Sequence, residues 1–237
     1  MRSERRTAVA PPRCSTCAVR DSALCSALDD GDLARIHAIG LRRTVAAEQV
    51  LVWTGDRNAI CANLVSGVLK VVRAGPDRQD HIVGLLFPGD FVGELFADSA
   101  SDTVQVLCDA DLCIYPRAAL RHVLDDHPAA ERLLLRRALA TLNDARKWML
   151  ILSRKTARAK VATFLIDMAR RLDDAGAAAG KFDLPMSRSE IGAVLGLTIE
   201  TVSRQVTALR VAGIIALPGG RSVVIRDHAR LAGRAAA

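Results

Sequence analysis

Six cysteines carry the most distinctive chemistry open to this 237-residue chain, and four of them fall into a pattern. Cys14, Cys17 and Cys25 stand at C-x2-C-x7-C spacing near the N-terminus, and Cys113 follows much later, just ahead of Tyr115-Pro116. Three clustered thiolates and one brought from afar suit an iron–sulfur cluster or a structural zinc, and spacing alone does not choose between them. A thiol–disulfide switch between Cys14 and Cys17 is another use of the same residues. Cys108 stands close enough to Cys113 to compete for the fourth position, whereas Cys61, in an apolar stretch, reads as a buried thiol. His37, His81, His122, His127 and His228 read as surface or helix-end histidines.

A second set of residues suits base reading. Ser187-Arg188-Ser189-Glu190 has the S-x-x-E form of a capping box and opens a short helix through Leu195, which Gly196 ends. Thr198 then caps a further helix that turns Val202, Val206 and Leu209 inward and leaves Glu200, Ser203, Arg204 and Thr207 on other faces. Two short helices joined by a tight glycine-containing turn form a helix-turn-helix, whose second helix enters the major groove of double-stranded DNA. Arg204 can donate twice to guanine, Glu200 can accept from a cytosine amino group, and Ser203 can reach base or phosphate. Ile214 to Leu217, Pro218-Gly219-Gly220-Arg221 and Ser222 to Arg226 read as a hairpin wing that offers Arg221 to a phosphate.

The elements that must position these residues follow from periodicity. Between Leu41 and Pro116, short β-branched stretches alternate with turn signals: Gln49 to Trp53, Ala62 to Val65 before Ser66-Gly67, Val68 to Val72 before Gly75-Pro76, His81 to Leu86, Val104 to Leu107, and Leu112 to Tyr115. Regular short strands of this kind predict an antiparallel barrel or roll. After His127-Pro128 the period changes, and Leu135, Ala138, Leu142, Ala145, Met149 and Leu152 recur at alternating spacings of three and four, the seam of a coiled coil. That helix predicts a homodimer. None of the seam positions is acidic; Asp144 lies just off the seam. A further amphipathic helix spans Ala157 to Leu172, followed by the loop Asp173-Asp174-Ala175-Gly176.

Charge divides unevenly. From Arg154 onward there are 14 Lys+Arg against 7 Asp+Glu, and the residues before it hold 19 of each, so the net charge of +7 lies in the C-terminal third. A polyanion partner for that segment follows. Met1 to Ala10 lacks the apolar block of a secretory signal and no run is long enough for a membrane span, so the expectation is a cytoplasmic protein without a membrane partner. Paired carboxylates, a nucleophile–base set and a glycine-rich phosphate loop are all missing from the sequence, which argues against an enzyme.

The segment Ile191-Gly192-Ala193-Val194-Leu195-Gly196-Leu197-Thr198-Ile199-Glu200-Thr201-Val202-Ser203-Arg204 resembles the recognition motif of the Crp/Fnr transcription regulators, and its E-x-x-S-R triplet is similar to that of the FNR branch. The resemblance implies TTGAT-type half-sites in inverted repeat, read by Glu200, Ser203 and Arg204, and contacts with RNA polymerase. It also implies an oxygen-labile [4Fe-4S] cluster on Cys14, Cys17, Cys25 and Cys113. Pro88-Gly89-Asp90-Phe91-Val92-Gly93-Glu94-Leu95 is similar to the segment before a cyclic-nucleotide phosphate cassette, yet Asp102-Thr103-Val104 stand where that cassette places arginine and serine. Cyclic nucleotide is therefore not expected. The expected fold is α+β: a cysteine-rich arm over 1-28, an antiparallel β-roll of cyclic-nucleotide-binding type over 29-128, a dimerisation helix over 129-155 and a winged helix-turn-helix over 156-237.

Overall fold

The computed structural model describes residues 11–75, 80–172 and 180–236. Met1 to Ala10, Pro76 of the Gly75-Pro76 turn and the Asp173 to Gly176 loop lie outside the described residues. The chain divides into two compact units, with the division after Thr141.

In the first unit the arm forms a one-turn helix, α1 (Pro12–Ser15), and a 3-10 turn over Leu24–Ala27. Helix α2 (Asp30–Ile39) follows, capped by the Asp29 carboxylate, which accepts from the Asp32 N–H at 2.9 Å. The roll contains, among the described residues, β1 (Leu41–Val45), β2 (Val50–Val52), β3 (Ile60–Ala74), β4 (Asp80–Leu86), β5 (Phe91–Val92) and β6 (Thr103–Pro116). Every pairing is antiparallel; the order is β1-β6-β3-β4, with β2 on β6 and β5 on β3. Leu64, Leu69, Val106 and Leu112 fill its core.

Ser66-Gly67 is not a turn between two strands. β3 runs through it, with register shifts between Leu64 and Leu69. Gly67 has φ +86°, and a Cβ there would meet the Asp109 carbonyl oxygen at 2.5 Å, so glycine admits a bulge where a side chain would break the pairing. The stretches Val104 to Leu107 and Leu112 to Tyr115 are likewise one strand, β6, which pairs with β3 from Ile60↔Pro116 to Val72↔Thr103. A glycine bulge and a glycine turn look alike in sequence because both need a positive φ.

Helix α3 (Arg117–Asp125) packs Leu120 and Leu124 beside Leu24, Ile36 and Tyr115. Helix α4 (Pro128–Arg154) begins at the expected proline. Only Ala130 of α4 is buried in the single chain, and Leu135, Leu142 and Met149 are 60%, 45% and 68% exposed. Leu139 and Leu150 widen this uncovered apolar stripe beyond the strict seam. No helix among the described residues is long and apolar enough to cross a membrane.

The second unit takes in the rest of α4 and α5 (Ala157–Leu172), which buries Val161, Phe164, Leu165 and Met168. Helices α6 (Arg188–Leu195) and α7 (Ile199–Val211) follow, with a sheet of order β7-β9-β8 from β7 (Lys181–Asp183), β8 (Ile215–Gly219) and β9 (Ser222–Ile225). Helix α8 (His228–Ala236) closes the unit against α5. Neither β7 nor α8 was expected from the sequence.

Candidate functional sites: a recognition helix and a thiol pocket

The turn between α6 and α7 is built by local chemistry. Ser187 and Glu190 exchange capping bonds, Ser187 N–H donating to Glu190 Oε2 at 2.9 Å and Glu190 N–H to Ser187 Oγ at 3.3 Å. Gly196 ends α6 in the left-handed region, and Thr198 Oγ1 caps α7 by accepting from Thr201 N–H at 3.3 Å. Val202, Val206 and Leu209 are buried, which turns the other side of α7 outward. Glu200, Ser203 and Arg204 stand at i, i+3 and i+4, so they share one face.

Glu200 and Arg204 are exposed and Ser203 is half-buried. The Glu200 backbone N–H and the Thr198 hydroxyl hold its carboxyl below the usual range, so it faces solvent as an acceptor. Among the described residues, none binds the Arg204 guanidinium. Arg221, between β8 and β9, is exposed but donates through Nη1 to the Pro185 carbonyl at 3.2 Å, so part of its hydrogen-bonding capacity serves the wing itself. Arg188, which carried no signal in the sequence beyond its place in the capping box, is half-buried at the start of α6 with its Nη1 unpartnered.

The cysteine arm meets the far cysteine at one place. Cys14 in α1, Cys17 just beyond it, Cys25 in the 3-10 turn and Cys113 on β6 all line a single cavity of about 40 Å³, together with Leu33, Ile36, Gly40 and Tyr115. Register explains the position of Cys113, which pairs with Arg42 of β1 and with Asn63 of β3. The arm is held down by Val19 and Ala23 packed on Val65, and by an Arg20–Asp30 ion pair at 2.7 Å. Cys108 does not line this cavity. Cys61 is buried elsewhere, and burial pushes its thiol up to about 11.

Burial and the neighbouring thiols push Cys25 up to about 11, and burial likewise raises Cys14 and Cys113. Burial and mutual repulsion thus favour the neutral thiol at these three positions when no cation is bound. Among the described residues no three His, Cys, Asp or Glu side chains stand close enough to hold one metal ion. The all-sulfur donor set suits a structural zinc or an iron–sulfur cluster alike, and Arg13, Arg20 and Arg42 line the same cavity, Arg20 and Arg42 being paired with Asp30 and Asp111.

The roll also keeps a glutamate and an arginine engaged elsewhere. Glu94 accepts from Ser101 N–H and Oγ–H at 2.8 and 2.9 Å, and Arg73 forms a fork with Asp102 at 2.6 and 2.9 Å.

Comparison with known proteins follows these two sites. Residues 42–127 match the family described as Cyclic nucleotide-binding domain, and residues 159–234 match the Crp-like helix-turn-helix domain. A probable transcriptional activator of Rhizobium leguminosarum bv. viciae is 38% identical over 217 residues, covering 92% of this chain and 90% of the relative. The transcriptional activator protein FnrL of Cereibacter sphaeroides is 39% identical over 225 residues, with the same coverage of 92% and 90%. Among solved structures, FixK2 from Bradyrhizobium japonicum superposes with a TM-score of 0.77 at 31% identity, over 84% of this chain and 98% of that one.

Proposed function

Because the chain belongs to the Crp/Fnr family of DNA-binding transcription regulators, whose members are not enzymes, we propose that it is an oxygen-responsive activator that binds TTGAT-type inverted repeats as a homodimer. One observation carries the sensory half of this reading: three arm cysteines and one strand cysteine share a single cavity. Cys14, Cys17, Cys25 and Cys113 would hold a [4Fe-4S] cluster, which when bound supplies oxygen-labile iron chemistry. Cyclic nucleotide is not the ligand on this reading, because Asp102-Thr103-Val104 stand where a phosphate cassette places arginine and serine.

The chain's own residues connect the arm to the dimer helix within the first unit. Gly89 packs so closely on the arm that a Cβ there would lie 3.0 Å from Ser22 Oγ, and the Gly89 carbonyl accepts from Arg137 Nη1 of α4 at 2.6 Å. His127 Nε2, at the start of α4, lies 3.0 Å from Asp32 of α2. Ordering the arm thereby favours one setting of α4, whose uncovered stripe is what a second copy would cover. Asp144 does not oppose that pairing, since Lys147 and Arg171 lie 3.1 and 3.3 Å from its oxygens. Dimerisation would space two recognition helices by one DNA turn, about 34 Å. RNA polymerase is the expected further partner.

The test is iron, sulfide and zinc content, with the visible spectrum, on protein purified without oxygen and then exposed to air. About four iron and four sulfide per chain, with a band that bleaches in air, is expected. Zinc-loaded protein, or protein that takes up no iron on anaerobic reconstitution, would overturn the cluster and leave a structural zinc or a Cys14–Cys17 thiol switch on the same DNA-binding regulator.

A further inference from the structure

Behind the four thiols lie two buried polar side chains that the cysteine pattern does not explain. Asn63 and Tyr115 are 2% and 4% exposed. Asn63 sits opposite Cys113 on the neighbouring strand and donates through Nδ2 toward Cys25 Sγ at 3.7 Å, while its Oδ1 has no partner. Tyr115 stands two residues along β6 from Cys113, on the same strand face, and lines the cavity with Cys25 and Cys113, so the thiols are the polar groups within reach of its buried ring. A buried amide with an unsatisfied oxygen is a standing penalty that leucine would avoid. The position of Tyr115 is also fixed from behind, since a Cβ on Gly40 would fall 2.6 Å from its Cε1.

We infer that Asn63 and Tyr115 are positioning residues of the thiol site, donating hydrogen bonds to the sulfurs of Cys25 and Cys113 and so distinguishing those two from Cys14 and Cys17. This rests on the proposed function for its effect on a bound cluster, but the hydrogen bonds themselves do not need one. Hydrogen bonds to ligand sulfur stabilise the more negative state and raise the reduction potential, and partners of this kind fix ligand orientation. Cys14, in α1, has no such donor among the described residues; its charged neighbours are Arg13 and Arg20.

The chain contains a single tyrosine, so its ultraviolet resonance Raman doublet reports Tyr115 alone. In metal-free full-length protein, the doublet is expected to indicate a hydroxyl that donates strongly, and to shift in both Cys25→Ala/Cys113→Ala and Asn63→Leu. A doublet identical in wild type and the double cysteine variant would overturn the inference. In anaerobically reconstituted protein, Tyr115→Phe, which keeps the ring, is expected to retain iron content while lowering the reduction equilibrium about tenfold, or ~59 mV for one electron. Asn63→Leu supplies the same reading should Tyr115→Phe fail to fold. An unchanged potential in both variants would also sink it. Absence of iron in wild-type protein, with the Raman response intact, would remove the cluster and leave the hydrogen-bonded thiol pair standing.

Discussion

Arg204 and Cys25 are the residues on which the two functional readings turn, and they make opposite demands on their surroundings. Arg204 is exposed, and among the described residues none binds its guanidinium. Arg204→Ala is expected to weaken specific operator binding by ~1–3 kcal/mol with relaxed preference at one base pair, whereas Arg221→Ala should weaken all sequences alike and lower the salt dependence. Fluorescence anisotropy on matched and mismatched operators at two salt concentrations separates these. Cys25 is instead half-buried. Its folded pKa stands near 11 against an ordinary 9.0, so in metal-free protein it contributes stability that is complete below pH 9 and is lost as pH rises toward 11. Thermal melts across that range should fall for wild type, and less steeply for Cys25→Ala.

At the scale of elements, α4 is the piece whose surface is unfinished. Its exposed leucines and methionine have no cover in one chain, and leaving such a stripe in water is unfavourable by roughly 25 cal/mol for each Å². Leu142→Asp places an uncompensated charge in the centre of that stripe and is expected to yield monomer by size exclusion with helix content intact. Dimer retained at micromolar concentration would move the interface away from the seam. Legibility also varied by element. Helix α5 and the α6–α7 pair were readable because apolar period, capping box and glycine stop coincide within a few residues. The continuity of β3 was not, because Gly67 signals positive φ without saying whether the chain reverses or bulges. β7 buries a single side chain, Phe182, over three residues, and so short a strand leaves no period to detect.

For the whole molecule, charge and chemistry are segregated along the chain. The basic excess accompanies the winged helix-turn-helix, and the thiols lie within the first unit. The spacing grouped the four cysteines that line one cavity, but not the polar side chains behind them. Asn63 and Tyr115 carry no spacing signal of their own and join the site only because β3 and β6 pair in that register. That register has a mechanical consequence. Cys25 and Cys113 are separated in sequence by nearly the entire roll, so whatever joins them acts as a staple that closes a long loop and restricts the unfolded chain. A group that joins them would then also set how firmly the first unit resists unfolding, and a chain that has lost it would be the more readily cleared by proteolysis.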